Sequence, residues 1–173
     1  MTTLVIGLLV FFSAHLLPVF AQKRAACIDK VGLLPYKGLF AVVSLLGFIL
    51  IVMGKADAPF ITVWQPPQFL SMVPKLLMLP ALILLVATYL PSNIKRKVRH
   101  PMLLAVKLWA LGHLFINGDL ASILLFGSFL AYAVVDMVTS NKRSEWLKPE
   151  SRPVYMTIIV VLLGFVAYGA IMM

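Results

Sequence analysis

The chain has 173 residues, 62% of them hydrophobic and only 12% charged, with a mean hydropathy of +1.01. A soluble domain is nearer half apolar and a quarter charged, so one aqueous core cannot hide this much apolar surface and the chain is read as an integral membrane protein. The formal charge of +9 would raise nucleic-acid binding in a soluble protein, but the bases stand in short clusters between apolar runs, as topology signals do, and no nucleic-acid partner is expected.

Taken in chain order, the first apolar run covers 3–20 and carries His15 in "FFSAHLLP". The following "PVFAQ" resembles a signal cleavage site, yet no positive segment precedes the run and Lys23 and Arg24 follow it directly. That charge order is the reverse of a secretory signal, so the run is expected to stay as a first span. Cys27, the one cysteine, falls in the next loop beside these bases and can form no disulfide within the chain. The second run is 36–53, and the third, 70–90, contains Pro74 and Pro80, which predict a kink or a late start.

"KRKVRHP" then opens a short fourth run over 101–117. Gly118 and Asp119 are the only punctuation before the fifth run at 119–138, with Gly118 ending one helix and Asp119 capping the next. A sixth run covers 154–172. Backbone groups in lipid must pair internally, so helices are the default. The expectation is an all-α bundle of six transmembrane spans forming a single domain over 1–173, because the longest loops, 54–69 and 139–153, are too short to fold alone.

Loops after spans one, three and five hold eleven basic residues: Lys23, Arg24, Lys30, Lys95, Arg96, Lys97, Arg99, Lys142, Arg143, Lys148 and Arg152. Those after spans two and four hold Lys55 alone. Positive charge collects on the cytoplasmic side, which puts both termini on the non-cytoplasmic side.

Polar groups within spans are costly, roughly 2.5–3.5 kcal/mol for a central charge on the insertion scale, and so become functional candidates. They are His15, Lys107, His113, Asn117, Asp119 and Asp136, with His100 at a border. Trp109, His113 and Asn117 recur at every fourth position, on one helical stripe, and Gly112 beside the histidine would let a flat group approach the backbone. At 1.5 Å per residue His113 lies about 18 Å in from Pro101, and His15 about 8 Å from the same membrane face. A haem held between the two imidazoles is compatible with those depths, and so are two histidines that only pair neighbouring helices. His100 sits near the N-terminus of its span, where an interfacial contact and a headgroup or haem propionate contact, shared with Arg96 or Arg99, are equally open. Asp136 is expected to pair with a cytoplasmic base, and Lys107 to snorkel or pair. No Walker loop, GxSxG, HExxH or cysteine cluster is present, which leaves hydrolase and nucleotide-driven pump readings without support.

At "VRHPML…LWALGHLFINGDLASILLFGSFLAYAVVD" the sequence resembles the NnrU family of bacterial membrane proteins, over essentially the whole chain. It is similar, more distantly, to the plant and cyanobacterial 15-cis-zeta-carotene isomerases. The first resemblance implies a polytopic inner-membrane protein linked to denitrification, that is, to nitrite and nitric oxide reduction. The second implies haem b held through histidines, His15 and His113 being the matching positions. The isomerases carry an alternative cysteine ligand where this chain has Ala110, so their ligand switch, and with it the carotenoid reaction, is not carried over.

The leading expectation is therefore a haem-b membrane protein serving nitrogen-oxide metabolism or a redox isomerisation, with His15 and His113 as metal ligands and Trp109, Asn117 and His100 around the cofactor. Membrane lipids and redox or denitrification proteins would be its partners. A non-catalytic assembly or transport component, with structural histidines, is the second reading. A membrane methyltransferase using S-adenosylmethionine comes third. Such enzymes share the RHP element, but their paired downstream glutamates are replaced here by the isolated Glu145 and Glu150.

Overall fold

The computed structural model describes residues 1–172 and is all-helical, with no strand among the described residues beyond one isolated bridge. Its helices are α1 (Thr2–Leu16), α2 (Ala21–Val31), α3 (Leu33–Ala56), α4 (Met72–Tyr89), α5 (Pro101–Leu114), α6 (Leu120–Arg143) and α7 (Val154–Met172). Short 3-10 turns at Leu17–Val19, Gln68–Ser71 and Asn93–Arg96 lead into or out of them. Five segments are long and apolar enough to cross a membrane: Thr2–Val19, Leu33–Ala56, Gln68–Tyr89, Leu120–Arg143 and Val154–Ile171. Side chains such as Leu76 and Val166 are 71% and 68% exposed, an arrangement stable only in lipid.

Two expected elements come out differently. The fourth run forms a helix of only 14 residues, about 21 Å long, because the chain turns at Phe115 and Ile116 instead of continuing to Asn117. The loop after the first span contains α2, whose "AQKRAACIDKV" is rich in strong helix formers. Pro74 stands in the first turn of α4, where its missing N–H is not needed, and Pro80 sits inside the helix without ending it.

The chain forms two compact units. The first comprises residues 1–64 and 119–128. Here α1 and α3 run antiparallel at close range, because glycine replaces a side chain at three crossings. A Cβ on Gly7 would stand 2.6 Å from the Ile51 amide nitrogen, and one on Gly47 would stand 2.6 Å from that of Phe11. One on Gly54 would meet the Leu4 backbone. Lipid offers no hydrophobic drive between helices, so van der Waals contact through small residues takes its place.

The start of α6 is tied into the same unit. The Leu120 amide donates to the Ile61 carbonyl at 2.8 Å, and Thr62 bridges Asp119. Asp119 caps α6: its Oδ1 accepts the Ser122 amide at 3.0 Å and the Lys55 ammonium at 2.9 Å.

The second unit comprises residues 65–118 and 129–173. Its centre is α4, which packs on α5 and on α7. Asn93 joins the end of α4 to the start of α7, donating to the Arg152 carbonyl at 2.7 Å and accepting the Arg152 amide at 2.9 Å. The end of α6 is held to α5. Arg99 donates to the Ser144 hydroxyl at 2.9 Å, and the His100 Nε2–H to Asn141 Oδ1 at 3.0 Å. Lys107 Nζ donates to the Met137 sulfur at 3.1 Å. Asp136 meets Arg143 at 3.5 Å, the pairing with a terminal base that the sequence suggests.

Candidate functional site

In the second unit a groove of about 600 Å³ opens between α4 and α5. Pro74, Met78 and Leu82 line one wall, Val106, Trp109 and His113 the other, and Ile171 closes part of it. Ser71 and Lys75 supply polar groups at the end where α4 begins. A volume within roughly 300–1,000 Å³, an apolar lining and a few polar groups are what small-molecule and cofactor sites share.

Beside the groove α5 crosses α4 closely at Gly112. Gly112 is buried, and a Cβ there would stand 3.3 Å from the Pro74 Cα. The space beside Gly112 is thus taken by a neighbouring helix, not by a flat ligand as its position beside His113 suggests. One residue on, His113 turns into the groove.

Trp109 and His113 meet edge-on, with ring centroids 5.5 Å apart, and Trp109 meets Phe129 in the same way at 5.6 Å. Asn117 lies beyond the last helical residue, yet its amide nitrogen donates to the His113 carbonyl at 2.9 Å. That bond orients the side chain so that the same NH2 faces His113 Nδ1, at 3.4 Å. The expected Trp109–His113–Asn117 stripe therefore does come together, with Asn117 joined through a turn.

His15 belongs to the first unit. Its Nδ1–H donates to the Phe11 carbonyl at 2.9 Å, and its ring stacks on Phe11 with centroids 3.9 Å apart. Phe40 stands 5.0 Å away. A neutral ring donating through Nδ1 carries its lone pair on Nε2, the tautomer in which histidines bind metals with a carbonyl behind them. His100 is placed elsewhere, thirteen residues before His113, so about 20 Å along α5. It is the N-cap residue of α5 and makes no side-chain capping bond. Among the described residues no three His, Cys, Asp or Glu side chains cluster as a metal site would require.

Several contributors escape a reading of the sequence. Lys75 and Ser71 are ordinary span-end residues by position, and nothing in their spacing points to His113. Lys55 is separated from Asp119 by 64 residues.

With this geometry in hand, comparison with known proteins is decisive on one point: the sequence model of the family described as NnrU protein matches residues 3–173. The chain belongs to the NnrU family. No curated protein and no solved structure matches it. In this NnrU chain the matched span takes in every candidate residue, from His15 to Asn117, so the groove and both half-buried histidines lie inside the matched region.

Proposed function

We propose that this NnrU-family chain is a haem-b-binding protein of the cell inner membrane in which His113 would hold the iron. One observation carries the reading: a half-buried imidazole on the wall of an apolar groove of about 600 Å³, flanked by an indole and with a lysine at one end. The donor set fits the group. His113 would hold the iron, Trp109 and the α4 side chains would enclose the macrocycle, and Lys75 with Ser71 would meet its propionates. Bound haem b supplies one-electron chemistry at iron. The chain's own part is to exclude water from the groove and to fix the imidazole by its place on α5. The family resemblance supports nitrogen-oxide metabolism as the setting, where a redox protein would be the partner.

The accompanying topology is six passes of one domain with both termini on the non-cytoplasmic side. Eleven of fifteen basic residues then face the cytoplasm, in keeping with the charge bias of inner-membrane proteins. The short α5 crosses as the fourth pass, its shortfall taken up by local thinning of the bilayer.

Reduced-minus-oxidised spectra of the full chain purified after haem-replete expression test the cofactor. Soret and α-band absorption lost in His113→Ala is the expected result, and absence of both bands from the parent chain overturns the reading. His15→Ala examined in the same way tests the second expected ligand.

A second reading, a non-catalytic assembly component with structural histidines, draws on the Asn117 contact. An amide NH2 facing Nδ1 favours the tautomer with the proton on Nε2, which has no lone pair there for iron. It requires that His113→Leu preserve function.

A further inference from the structure

A second cavity, of about 430 Å³, lies at the opposite end of α5. Thr88 near the end of α4, Lys95 and Arg99 of the connecting loop, His100 and Pro101 at the start of α5, and Trp146 of the loop after α6 all line it. We infer that this cavity binds the phosphate-bearing headgroup of an anionic membrane lipid.

Charge comes first. Lys95 and Arg99 both reach the cavity wall, whereas Glu145 and Glu150, the acidic residues of the facing loop, do not. Arg99 is anchored for such work: its bonds to Ser140 and Ser144 all use Nη2. A guanidinium has five N–H groups, so Nη1 and Nε keep donors for an outside anion, in the fork geometry that suits phosphate. His100 is likewise fixed, by Asn141.

The backbone adds to this field. Met102 and Leu103, in the first turn of α5, also line the cavity, and no side chain caps that helix. Their amides have no partner within the helix and carry the positive end of its dipole.

The remaining wall explains why the anion would belong to a lipid. Met102 is 40% exposed and Leu147 85% exposed. Trp146 lies under the Lys148 ammonium, 5.9 Å from its ring centroid. Basic groups above an apolar rim with a tryptophan make up the chemistry of a headgroup plane. The site lies at the helix ends, where that plane must fall, and it stands whether or not His113 binds haem.

Native mass spectrometry of the purified full chain, offered equimolar dioleoyl phosphatidylglycerol and dioleoyl phosphatidylcholine, tests it. Phosphatidylglycerol should be retained preferentially, and Lys95→Gln should cut that preference about fivefold, the worth of one basic group near an anionic surface. Lys142→Gln, at the same end of the molecule but outside the cavity, should leave the preference intact. Equal retention of the two lipids overturns the inference, and so does an equal loss in both variants, which would mark diffuse surface charge. Displacement of the lipid by equimolar glycerol 1-phosphate would overturn it as well, because the site would then take a soluble phosphate.

Discussion

Lys55 and Asp119 meet at 2.9 Å although one ends α3 and the other begins α6, and the same carboxylate oxygen also accepts the Ser122 amide. One side chain therefore caps a helix and pairs with a cation. Burial pushes the Asp119 carboxyl up, but the Ser122 hydroxyl and amide and the Lys55 ammonium outweigh it and bring it down to about 2.

The pH dependence follows from that depression. A carboxyl held below its unfolded value of about 3.9 contributes stability that is complete above that value and lost as pH falls toward about 2. The thermal-stability advantage of the parent chain over Asp119→Asn should thus be constant from pH 7 to 5 and shrink only below pH about 4. An advantage that disappears at higher pH would show that the pair is not formed.

Cap and ion pair are separable by substitution. Asp119→Asn keeps an oxygen for the Ser122 amide, whereas Asp119→Ala loses it. The alanine variant should be the less stable of the two by about 1 kcal/mol, the usual worth of an N-cap, in unfolding titrations at neutral pH.

The glycine crossings of α1 and α3 predict a sharp positional contrast. Gly47→Leu drives a side chain into the Phe11 backbone and should cost about 1–3 kcal/mol or more. Gly38→Leu on the same helix, where a Cβ has nothing within 4 Å, should cost little. Thermal unfolding in detergent distinguishes them, and equal losses would refute close α1–α3 contact.

Asn117 sets the fate of His113. On the haem reading, Asn117→Ala removes the NH2 facing Nδ1 and with it the pull toward Nε2–H, which frees the tautomer with a lone pair on Nε2. Haem affinity of the purified chain should then rise severalfold. Unchanged affinity would separate Asn117 from the cofactor.

Cys27, in α2 between the first two spans, reports orientation. With both termini outside, a membrane-impermeant maleimide should label it in inverted vesicles and not in intact spheroplasts. The reverse pattern would invert the topology.

The sequence makes the membrane class and five long helices plain because both depend on local composition. Apolar run length is a one-dimensional signal, and residues 36–53 or 154–172 carry it without help from the rest of the chain. The Asp119 cap was legible for the same reason, since a carboxylate before an apolar run acts three residues ahead. Helix α2 was missed because its polarity looks like a loop's, although its Ala, Gln, Lys and Arg favour helix. The close α1–α3 approach needed Gly7, Gly47 and Gly54 to be read as partners of another helix, and single-helix periodicity does not do that. At the groove, Trp109 and His113 follow from spacing along α5, whereas Lys75, Ser71 and the Pro74 contact come from a helix whose register no local pattern fixes.

The antiparallel α1–α3 pair has a bearing on biosynthesis. Everything it needs, both spans and all three glycines, is present once residue 56 has left the ribosome. The hairpin can therefore dock in the bilayer while α4 to α7 are still being made. A lesion at Gly47 would act at that early stage, leaving the first two spans inserted yet unpaired.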